Sequence, residues 1–480
     1  MADICVLYAS EDMKITERLV AQLRENWDVW WAEDSIPDGD WEKQVRDEIG
    51  NSSAVIPIFS SHSIDNAIFK DEIEWAKKCN RIIFPFLIED INMPFGFGRI
   101  NRTTAFNWDG KFNHFGFQQL IRKINTKIKK NTLSIKRHQR INIGSKVLQL
   151  PSFIFSLSTH ETQISPKDGI ELFSFLEPEA ILISAYDISK YYSKSKSFLS
   201  TIRKIKDTDC LLVLDSGNYE ACRKSDHYNC NNVNGWRSKE FRKIVKLINP
   251  DLSFSYDNWS RNGDVETIIK RIISNFKADK RSISKSEARL CPIVHLPNKI
   301  ELKNIGKYAS NIIKNVAKEL DPLMIAIPER ELGDGLIERV KTVRSIRESL
   351  NTLGKYYPLH LLGTGNPITI VALAGAGADT FDGLEWCRTV VDYDFGTLFH
   401  FQHLDCFIER YLSRLQIENK MIINNEEATY ATKVASYNCD FFKDLSKTIR
   451  ELIHSGNVSH LLKQIPAPNI SSEIYKAISQ

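Results

Sequence analysis

One carboxylate in the first part of the chain stands where it could border a ligand-binding cleft. Glu72 follows a short apolar run of strand length, residues 54–59, and a polar loop, and it lies in a segment with helical spacing. In that segment Phe69, Ile73 and Ala76 recur at i, i+4 and i+7, which predicts an inward face with Glu72 at its edge. Because open α/β sheets bind ligands at the carboxyl ends of their strands, this position suits a functional carboxylate. The alternative is a solvated surface glutamate.

A second set of polar side chains follows apolar runs in the rest of the chain. These residues are Asp215, Asp257, His295, Glu329 with Arg330, Gly363 with Gly365, and Asp382. If the runs are parallel strands of one barrel, their carboxyl ends meet at a single mouth, and polar groups that are distant in sequence share one pocket. A pocket of this kind could perform acid–base and nucleophilic chemistry.

Alternating strands and helices must position the first of these sites. Apolar runs at 4–8, 29–31 and 54–59 alternate with amphipathic segments at 13–24 and 42–49. This alternation predicts a parallel sheet with helices on both of its faces.

A longer array of the same kind must position the second site. Eight apolar runs alternate with helical segments over about 230 residues, and they predict a (β/α)8 barrel. The runs are residues 152–157, 180–184, 210–214, 252–256, 292–296, 324–327, 359–362 and 379–381.

Five pieces of the first array resemble, in the right order, the motifs of a TIR domain. They are YASED, the loop DSIPDGDW, the strand IPIFS, a glutamate in the setting SxxxxxFKDEIxxA, and the stretch RIIFPFLIEDINMP. The resemblance covers residues 1 to about 125 and implies a flavodoxin-like fold. Several bacterial, plant and animal TIR domains hydrolyse NAD+, and the resemblance places their catalytic glutamate at Glu72.

A carboxylate suits this reaction because cleavage of the bond between nicotinamide and ribose develops positive charge on the sugar. An adjacent anion stabilises that charge or attacks the carbon. We expect Tyr8, Ser10, Asp34 and Trp41 to contact NAD+, with the Trp41 indole stacked on a base or on the nicotinamide ring. Trp41 could equally anchor its loop in the core. In related TIR domains the loop at 34–41 mediates self-association, so activity is expected to need assembly.

Residues 146–480 resemble the tRNA-guanine transglycosylases, which exchange a nucleobase on a polynucleotide through a covalent intermediate. LDSGNYE is similar to the family's DSGGFQ, and HLLGTGNP with AGAGADTFDG is similar to its GVGTP and GVDMFD stretches. The resemblance places the nucleophile at Asp382, the general acid–base at Asp215 and a base-recognising aspartate at Asp257. Displacement at a sugar needs one carboxylate to bond carbon and one to move protons.

The barrel departs from this family in its base pocket. His295 replaces the Gln of the family's IVQGG stretch, and Glu329 and Arg330 fall within its glycine-rich GGLAVGE stretch. We expect these three residues to line an altered pocket together with Asp257, Gly363 and Gly365, and to bind a different nucleobase or nucleotide.

The family's zinc site is also missing from the sequence. Only Cys387, Cys406 and Cys439 follow the nucleophile position, and they lack the CxCxxC spacing. Residues 222–230 hold two cysteines and one histidine but no fourth ligand, so we predict no metal site. Ordinary queuosine synthesis is therefore not expected.

Composition is that of a globular protein with two sizeable cores. The 480 residues are 42% hydrophobic and 26% charged, and the net charge of +4 does not by itself indicate nucleic acid. No signal-peptide pattern and no apolar run of bilayer length is found, and the nine scattered cysteines fit reduced thiols. We therefore expect a cytoplasmic protein without a membrane partner.

A basic segment separates the two arrays. Residues 122–140, RKINTKIKKNTLSIKRHQR, contain no acidic residue, which is typical of a solvated tether and compatible with phosphate contacts. We predict a TIR domain at 1–128, a basic linker at 129–145 and the barrel at 146–480.

Two functions follow from these resemblances. In the first, a TIR NAD+ hydrolase is gated by a barrel that senses nucleic acid, a nucleobase or a nucleotide, as in bacterial antiviral defence, with NAD+ as substrate and no cofactor. In the second, the barrel is a base-exchanging transglycosylase acting on nucleic acid, and the TIR domain is an oligomerisation module. A scaffold with two inactive sites is the remaining alternative.

Overall fold

The computed structural model describes residues 2–24, 27, 29–32, 41–91, 102–110, 114–128, 137–160, 162–221, 235–258, 261–297 and 304–479. The chain divides into two compact units, residues 1–136 with 452–461 and 479–480, and residues 137–451 with 462–478. Each unit is built on a parallel sheet. None of the described helices is long and apolar enough to cross a membrane.

The first unit contains a six-stranded sheet in which all described pairs are parallel. The strand order is β2-β1-β3-β5-β6, with β4 also paired to β3. The strands are β1 (Ile4–Leu7), β2 (Val29–Trp30), β3 (Ala54–Phe59), β4 (Ile82–Ile83), β5 (Phe86–Leu87) and β6 (Thr103–Thr104). The helices of residues 13–127 are α1 (Met13–Leu23), α2 (Trp41–Asn51), α3 (Ala67–Lys78) and α4 (Phe115–Lys127).

The apolar sequence of β3 explains its central place in this sheet. All six of its residues are buried, as in a parallel strand covered on both faces. Two hydrophobic clusters lie on the two sides, one including Leu19 and Phe117 and the other including Val45 and Phe69. β4 and β5 run beside the two ends of β3 and are separated at Pro85, which has no N–H to donate to the ladder. The predicted sheet with helices on both faces is confirmed.

The helix that carries Glu72 begins at a side-chain cap. The Asn66 side chain accepts a 3.1 Å hydrogen bond from the backbone N–H of Phe69, which satisfies one of the free donors at the start of α3. Phe69, Ile73 and Ala76 are buried, as their spacing predicts. The Trp75 indole N–H donates a 3.0 Å bond to the backbone oxygen of Arg46, so it fastens α3 to α2.

The second unit contains a barrel of eight parallel strands. The order along the sheet is β13-β12-β11-β10-β9-β16-β15-β14, and a parallel bridge between Ile293 and Ala326 joins its two ends. An antiparallel hairpin, β7 (Arg140–Ile143) and β8 (Lys146–Gln149), precedes the barrel. The barrel strands are β9 (Ser152–Leu157), β10 (Ala180–Ser184), β11 (Leu211–Asp215), β12 (Leu252–Phe254), β13 (Arg289–Cys291), β14 (Ile325–Pro328), β15 (Leu359–Leu362) and β16 (Thr380–Gly383). The predicted barrel is confirmed.

Helices alternate with the barrel strands, and further elements follow the last strand. A short hairpin after β16 consists of β17 (Thr389–Val391) and β18 (Leu398–His400). The helices that precede this last hairpin are α5 (Pro166–Leu176), α6 (Ala185–Asp187), α7 (Lys196–Lys206), α8 (Asn218–Ala221), α9 (Ser238–Ile248), α10 (Val265–Ser282), α11 (Ile305–Leu320), α12 (Gly335–Asn351), α13 (Pro367–Ala376) and α14 (Glu385–Arg388). The later helices are α15 (Leu404–Tyr411), α16 (Ile417–Asn424), α17 (Tyr430–His454), α18 (Val458–Leu462) and α19 (Pro468–Ser479).

Side chains of the hairpin β7–β8 complete the barrel core. Ile141 and Leu148 belong to the same buried cluster as residues inside the barrel. The Lys146 ammonium bonds the Cys210 carbonyl at 2.7 Å and the Asp251 carboxylate at 3.0 Å. Because these two residues precede β11 and β12, the hairpin closes the amino-terminal end of the barrel. The opposite end is therefore left for the loops that carry the predicted site.

Two sequence predictions differ from the structure in detail. The strand predicted at 292–296 is observed at Arg289–Cys291, because Pro292 has no N–H and the following residues make only the isolated bridge at Ile293. The linker predicted at 129–145 lies outside the described residues up to 136, and its last part, Arg140–Ile143, is a strand rather than a tether. The domain limits 1–128 and 146–480 remain a prediction.

Candidate functional sites

The first candidate site is a cleft of about 410 Å³ lined by residues of α2 and α3. Its described lining consists of Trp41, Glu42, Val45, Arg46, Ile49, Ile68, Asp71, Glu72, Glu74, Trp75 and Lys78. Two indoles and several aliphatic side chains give the cleft an apolar body with charged groups around it. Such a combination suits a ligand with a flat aromatic ring and polar ends.

Glu72 is the carboxylate with the strongest perturbation in this cleft. Its side chain is half-buried in the middle of α3 and makes no hydrogen bond or ion pair with any residue that the structure describes. Burial raises the pKa of Glu72 to about 7, because the charged form loses water without gaining a partner. A carboxyl with this pKa changes its charge near neutral pH, whereas a fully solvated glutamate does so near 4.5.

The structure brings together only some of the residues predicted to bind NAD+. Trp41 is the first residue of α2, and its 41% exposed indole lines the same cleft as Glu72. Tyr8 packs against Trp31 at a ring distance of 5.6 Å, and Ser10 is exposed at the start of the following turn. Neither of these two lines the described part of the cleft. Asp34 lies outside the described residues.

The second candidate site is the carboxyl end of the barrel, where Asp382 is held by two donors. The Ser156 hydroxyl donates to Asp382 Oδ2 at 2.7 Å, and the backbone N–H of Gly363 donates to Oδ1 at 2.9 Å. His360 Nε2 lies 3.2 Å from Oδ1 without hydrogen-bond alignment. These contacts fix the carboxylate in one orientation at the end of β16.

Asp215 shares this mouth with two other aspartates. Its carboxylate accepts a 2.9 Å bond from the backbone N–H of Gly217. Burial raises the pKa of Asp215 to about 7, and the negative charges of Asp257 and Asp382 raise it further against the effect of that bond. The structure therefore brings together the three aspartates that the sequence placed after separate strands.

Glu220 is a further titratable group at this end of the barrel that the sequence analysis did not single out. Glu220 Oε1 accepts a 2.8 Å bond from the Ser158 hydroxyl, while Oε2 is buried without a hydrogen-bond partner among the described residues. Burial raises the pKa of Glu220 to about 8, and the charges of Asp187 and Asp215 contribute. The sequence did offer one indication of Glu220. It is the last residue of LDSGNYE, at the place where the similar transglycosylase motif DSGGFQ ends in Gln.

His295 is clamped between two carboxylates. Its Nδ1 lies 2.6 Å from Glu331 Oε1, and its Nε2 contacts Asp257 Oδ1. Burial lowers the pKa of His295, but the two carboxylates more than offset it and raise the pKa to about 10. Glu331 also accepts the Leu296 N–H at 2.7 Å and lies 3.4 Å from Arg261. Both ring nitrogens therefore contact carboxylate oxygens, which favours the protonated imidazole, and no spacing in the sequence indicates Glu331 as its partner.

The remaining predicted barrel residues have different surroundings. Glu329 is buried and forms an ion pair with Arg339, and Arg330 is exposed. Gly365 lies against Glu385, because a Cβ at this position would come within 1.6 Å of Glu385 Oε2. A larger residue there would force the Glu385 side chain to move away from the turn after β15.

Within the described ranges, no group of three or more His, Cys, Asp or Glu side chains could hold a metal ion. Residues 222–234, which contain two cysteines and a histidine considered above, are outside these ranges.

Comparison with known proteins bears on the first unit. A family model described as "TIR domain" matches residues 4–121, which include the six-stranded sheet and the cleft between α2 and α3. Comparison with curated proteins finds no match. The chain therefore carries an N-terminal TIR domain, followed in sequence by an eight-stranded parallel barrel.

Proposed function

We propose that the protein is a TIR-type NAD+ glycohydrolase that cleaves the bond between nicotinamide and ribose. The observation that carries this proposal is Glu72, a half-buried carboxyl without a partner among the described residues and with a pKa raised to about 7, in a cleft that also presents the Trp41 indole. TIR domains also serve as scaffolds without enzymatic activity. A scaffold would not need a desolvated, unpaired carboxyl, because such a group costs stability.

The residues of the cleft suit the steps of this reaction. The bond from C1′ to the nicotinamide nitrogen breaks, and its electron pair neutralises the ring cation. The deprotonated Glu72 stabilises the positive charge that develops on the ribose. Water adds to C1′ and loses a proton, giving ADP-ribose, nicotinamide and H+. Trp41 can stack on the nicotinamide ring and hold it in the cleft.

We propose that the barrel gates this activity by binding a nucleic acid, a nucleobase or a nucleotide. The arrangement of Asp215, Asp257 and Asp382 with the His295 cation supports a binding site for a polar heterocycle at the barrel mouth. Occupation of that site would promote self-association of TIR domains and loss of NAD+ in the cytoplasm, as an antiphage response.

A second candidate function is base exchange in the barrel. Asp382 is oriented by Ser156 and Gly363, and Asp215 has a pKa of about 7 at the same mouth. One group is thus suited to attack a sugar carbon and the other to move a proton. In this case the TIR domain serves assembly rather than catalysis.

Two single substitutions separate the candidates. Glu72→Gln and Asp382→Asn each remove one carboxylate, and Glu17→Gln on the exposed face of α1 is the matched control. NAD+ loss and incorporation of labelled guanine into RNA and DNA are measured for each protein. NAD+ loss that vanishes only in Glu72→Gln supports the first function. Labelled base incorporation that needs Asp382, with constant NAD+, supports the second instead.

A further inference from the structure

Among the residues that the structure describes, two cations in the α2–α3 cleft make no salt bridge, although each has a carboxylate at ideal helical spacing. Glu42 stands four residues before Arg46, and Glu74 stands four residues before Lys78, which is the favourable order for an ion pair. Glu74 instead pairs with Lys77 at 2.7 Å. Within the described part of the chain, neither Arg46 nor Lys78 pairs with a carboxylate.

Trp75 holds the Arg46 side chain at the cleft. The Arg46 guanidinium carbon lies 5.7 Å from the centre of the Trp75 ring, and the Trp75 indole N–H bonds the Arg46 backbone oxygen at 3.0 Å. A guanidinium over an indole keeps its N–H groups available at its edge, because the ring occupies only its face. The contact with Trp75 thus orients Arg46 while its side-chain hydrogen-bond donors make no bond to another described residue.

The second cation, Lys78, lies on the same helix as Glu72, six residues further along α3. Glu72, Trp75 and Lys78 follow one another at i, i+3 and i+6, so they form a slanted row on the surface of α3. Six residues correspond to about 9 Å along a helix axis. In NAD+ one sugar and one methylene group separate the attacked ribose carbon from the pyrophosphate. The distance along α3 between Glu72 and Lys78 is therefore long enough to reach from the ribose carbon to the pyrophosphate. The flexible lysine side chain can adjust its ammonium group to the phosphate oxygens.

We propose that Arg46 and Lys78 bind the pyrophosphate of NAD+ and so make the cleft selective for the dinucleotide over nicotinamide riboside. This inference rests on the proposed function of Glu72 and deepens it. Arg46 supplies a planar set of donors and Lys78 supplies a point charge, the two usual ways of binding phosphate oxygens. In this proposal both residues bind the phosphate oxygens of the substrate and take no part in breaking the bond to nicotinamide.

Steady-state kinetics with two substrates test the proposal. Arg46→Gln and Lys78→Gln each remove one charge from an exposed side chain, and Arg46→Gln keeps the backbone bond to Trp75. The control is Lys70→Gln, because Lys70 is an exposed lysine of the same helix that is not among the described residues lining the cleft. We expect the KM for NAD+ to rise roughly tenfold in each cleft variant, with kcat little changed. Hydrolysis of nicotinamide riboside, which has no phosphate, should be unchanged.

Equal losses with both substrates, or an unchanged KM for NAD+, would overturn the pyrophosphate site. A binding measurement keeps this outcome distinct from failure of the proposed function. ADP-ribose is titrated by calorimetry into the Glu72→Gln protein and into the same protein carrying Arg46→Gln or Lys78→Gln. If the native protein does not consume NAD+ but ADP-ribose binding depends on Arg46, only the proposed hydrolase is wrong. If NAD+ is consumed and ADP-ribose binding ignores Arg46 and Lys78, only the pyrophosphate site is wrong.

Discussion

Replacement of Glu72 by Gln should stabilise the protein at alkaline pH while it abolishes NAD+ hydrolysis. Burial raises the pKa of Glu72 from 4.5 to about 7, so the folded protein binds this proton more tightly than the unfolded chain does. Stability from this group is therefore present below pH 4.5 and is lost as the pH rises to about 7. The difference corresponds to about 3 kcal/mol of lost stability at pH 8.

The magnitude can be measured because glutamine imitates the protonated side chain. We expect Glu72→Gln and the native protein to have similar unfolding free energies at pH 4.5, and the variant to be more stable by up to about 3 kcal/mol at pH 8. Urea unfolding followed by tryptophan fluorescence suits this test, since six of the nine tryptophans lie in the first 128 residues. Comparison of the two proteins at each pH cancels the titration of all other groups.

The control for this experiment is Glu17→Gln, which removes an exposed carboxylate of α1. It should leave the unfolding free energy nearly unchanged at every pH, because surface substitutions have small effects. A stability difference between Glu72→Gln and the native protein that does not vary with pH would refute the desolvation argument. A native protein that is more stable than Glu72→Gln at pH 8 would also refute the desolvation argument.

Three further predictions concern both candidate sites. The kcat/KM for NAD+ should rise with pH through about 7, because only the deprotonated Glu72 stabilises a cation; initial rates between pH 5.5 and 8.5 measure this. Trp41→Ala should raise the KM for NAD+ by roughly tenfold through loss of ring stacking, while Trp41→Phe should restore most of the affinity, as steady-state kinetics would show. Glu331→Gln should destabilise the barrel by about 3–5 kcal/mol in urea unfolding, because it leaves the buried His295 cation with one carboxylate fewer.

Each of these predictions has a result that would count against it. A flat rate profile over the same pH range would exclude Glu72 as the titrating group. Equal KM values for the alanine and phenylalanine variants would show that no ring stacks at position 41. A Glu331→Gln protein as stable as the native one would mean that His295 is not a buried cation, since an imidazole that is neutral loses little with its partner.

Buried apolar runs made the fold predictable from the sequence. β3 and β9 are predominantly apolar segments of six buried residues, interrupted in β9 only by Ser152 and Ser156. Polar residues follow such strands at their carboxyl ends, and this pattern also predicted that Asp215 and Asp382 lie at the same end of the barrel. The strand predicted at 292–296 is the exception. Pro292 has no N–H to donate, and the observed strand lies before it, at Arg289–Cys291.

Partners of buried charges could not be predicted in the same way. Nothing in the spacing of His295 and Glu331, 36 residues apart, indicates that their side chains meet at 2.6 Å. The cleft beside Glu72 is a similar case. Helical spacing placed Glu72 at the edge of the buried face, but it did not show that this edge faces α2 rather than Tyr8 and Ser10. Contacts between elements depend on how helices pack, which sequence periodicity alone does not determine.

Release of nicotinamide from NAD+ by the purified full-length protein tests the central claim most directly. The native protein, Glu72→Gln and Glu17→Gln are compared at pH 8 over a range of protein concentrations. We expect equal amounts of nicotinamide and ADP-ribose from the native and Glu17→Gln proteins, a rate that rises more than linearly with concentration, and no release by Glu72→Gln. Release by Glu72→Gln at the native rate would contradict the account.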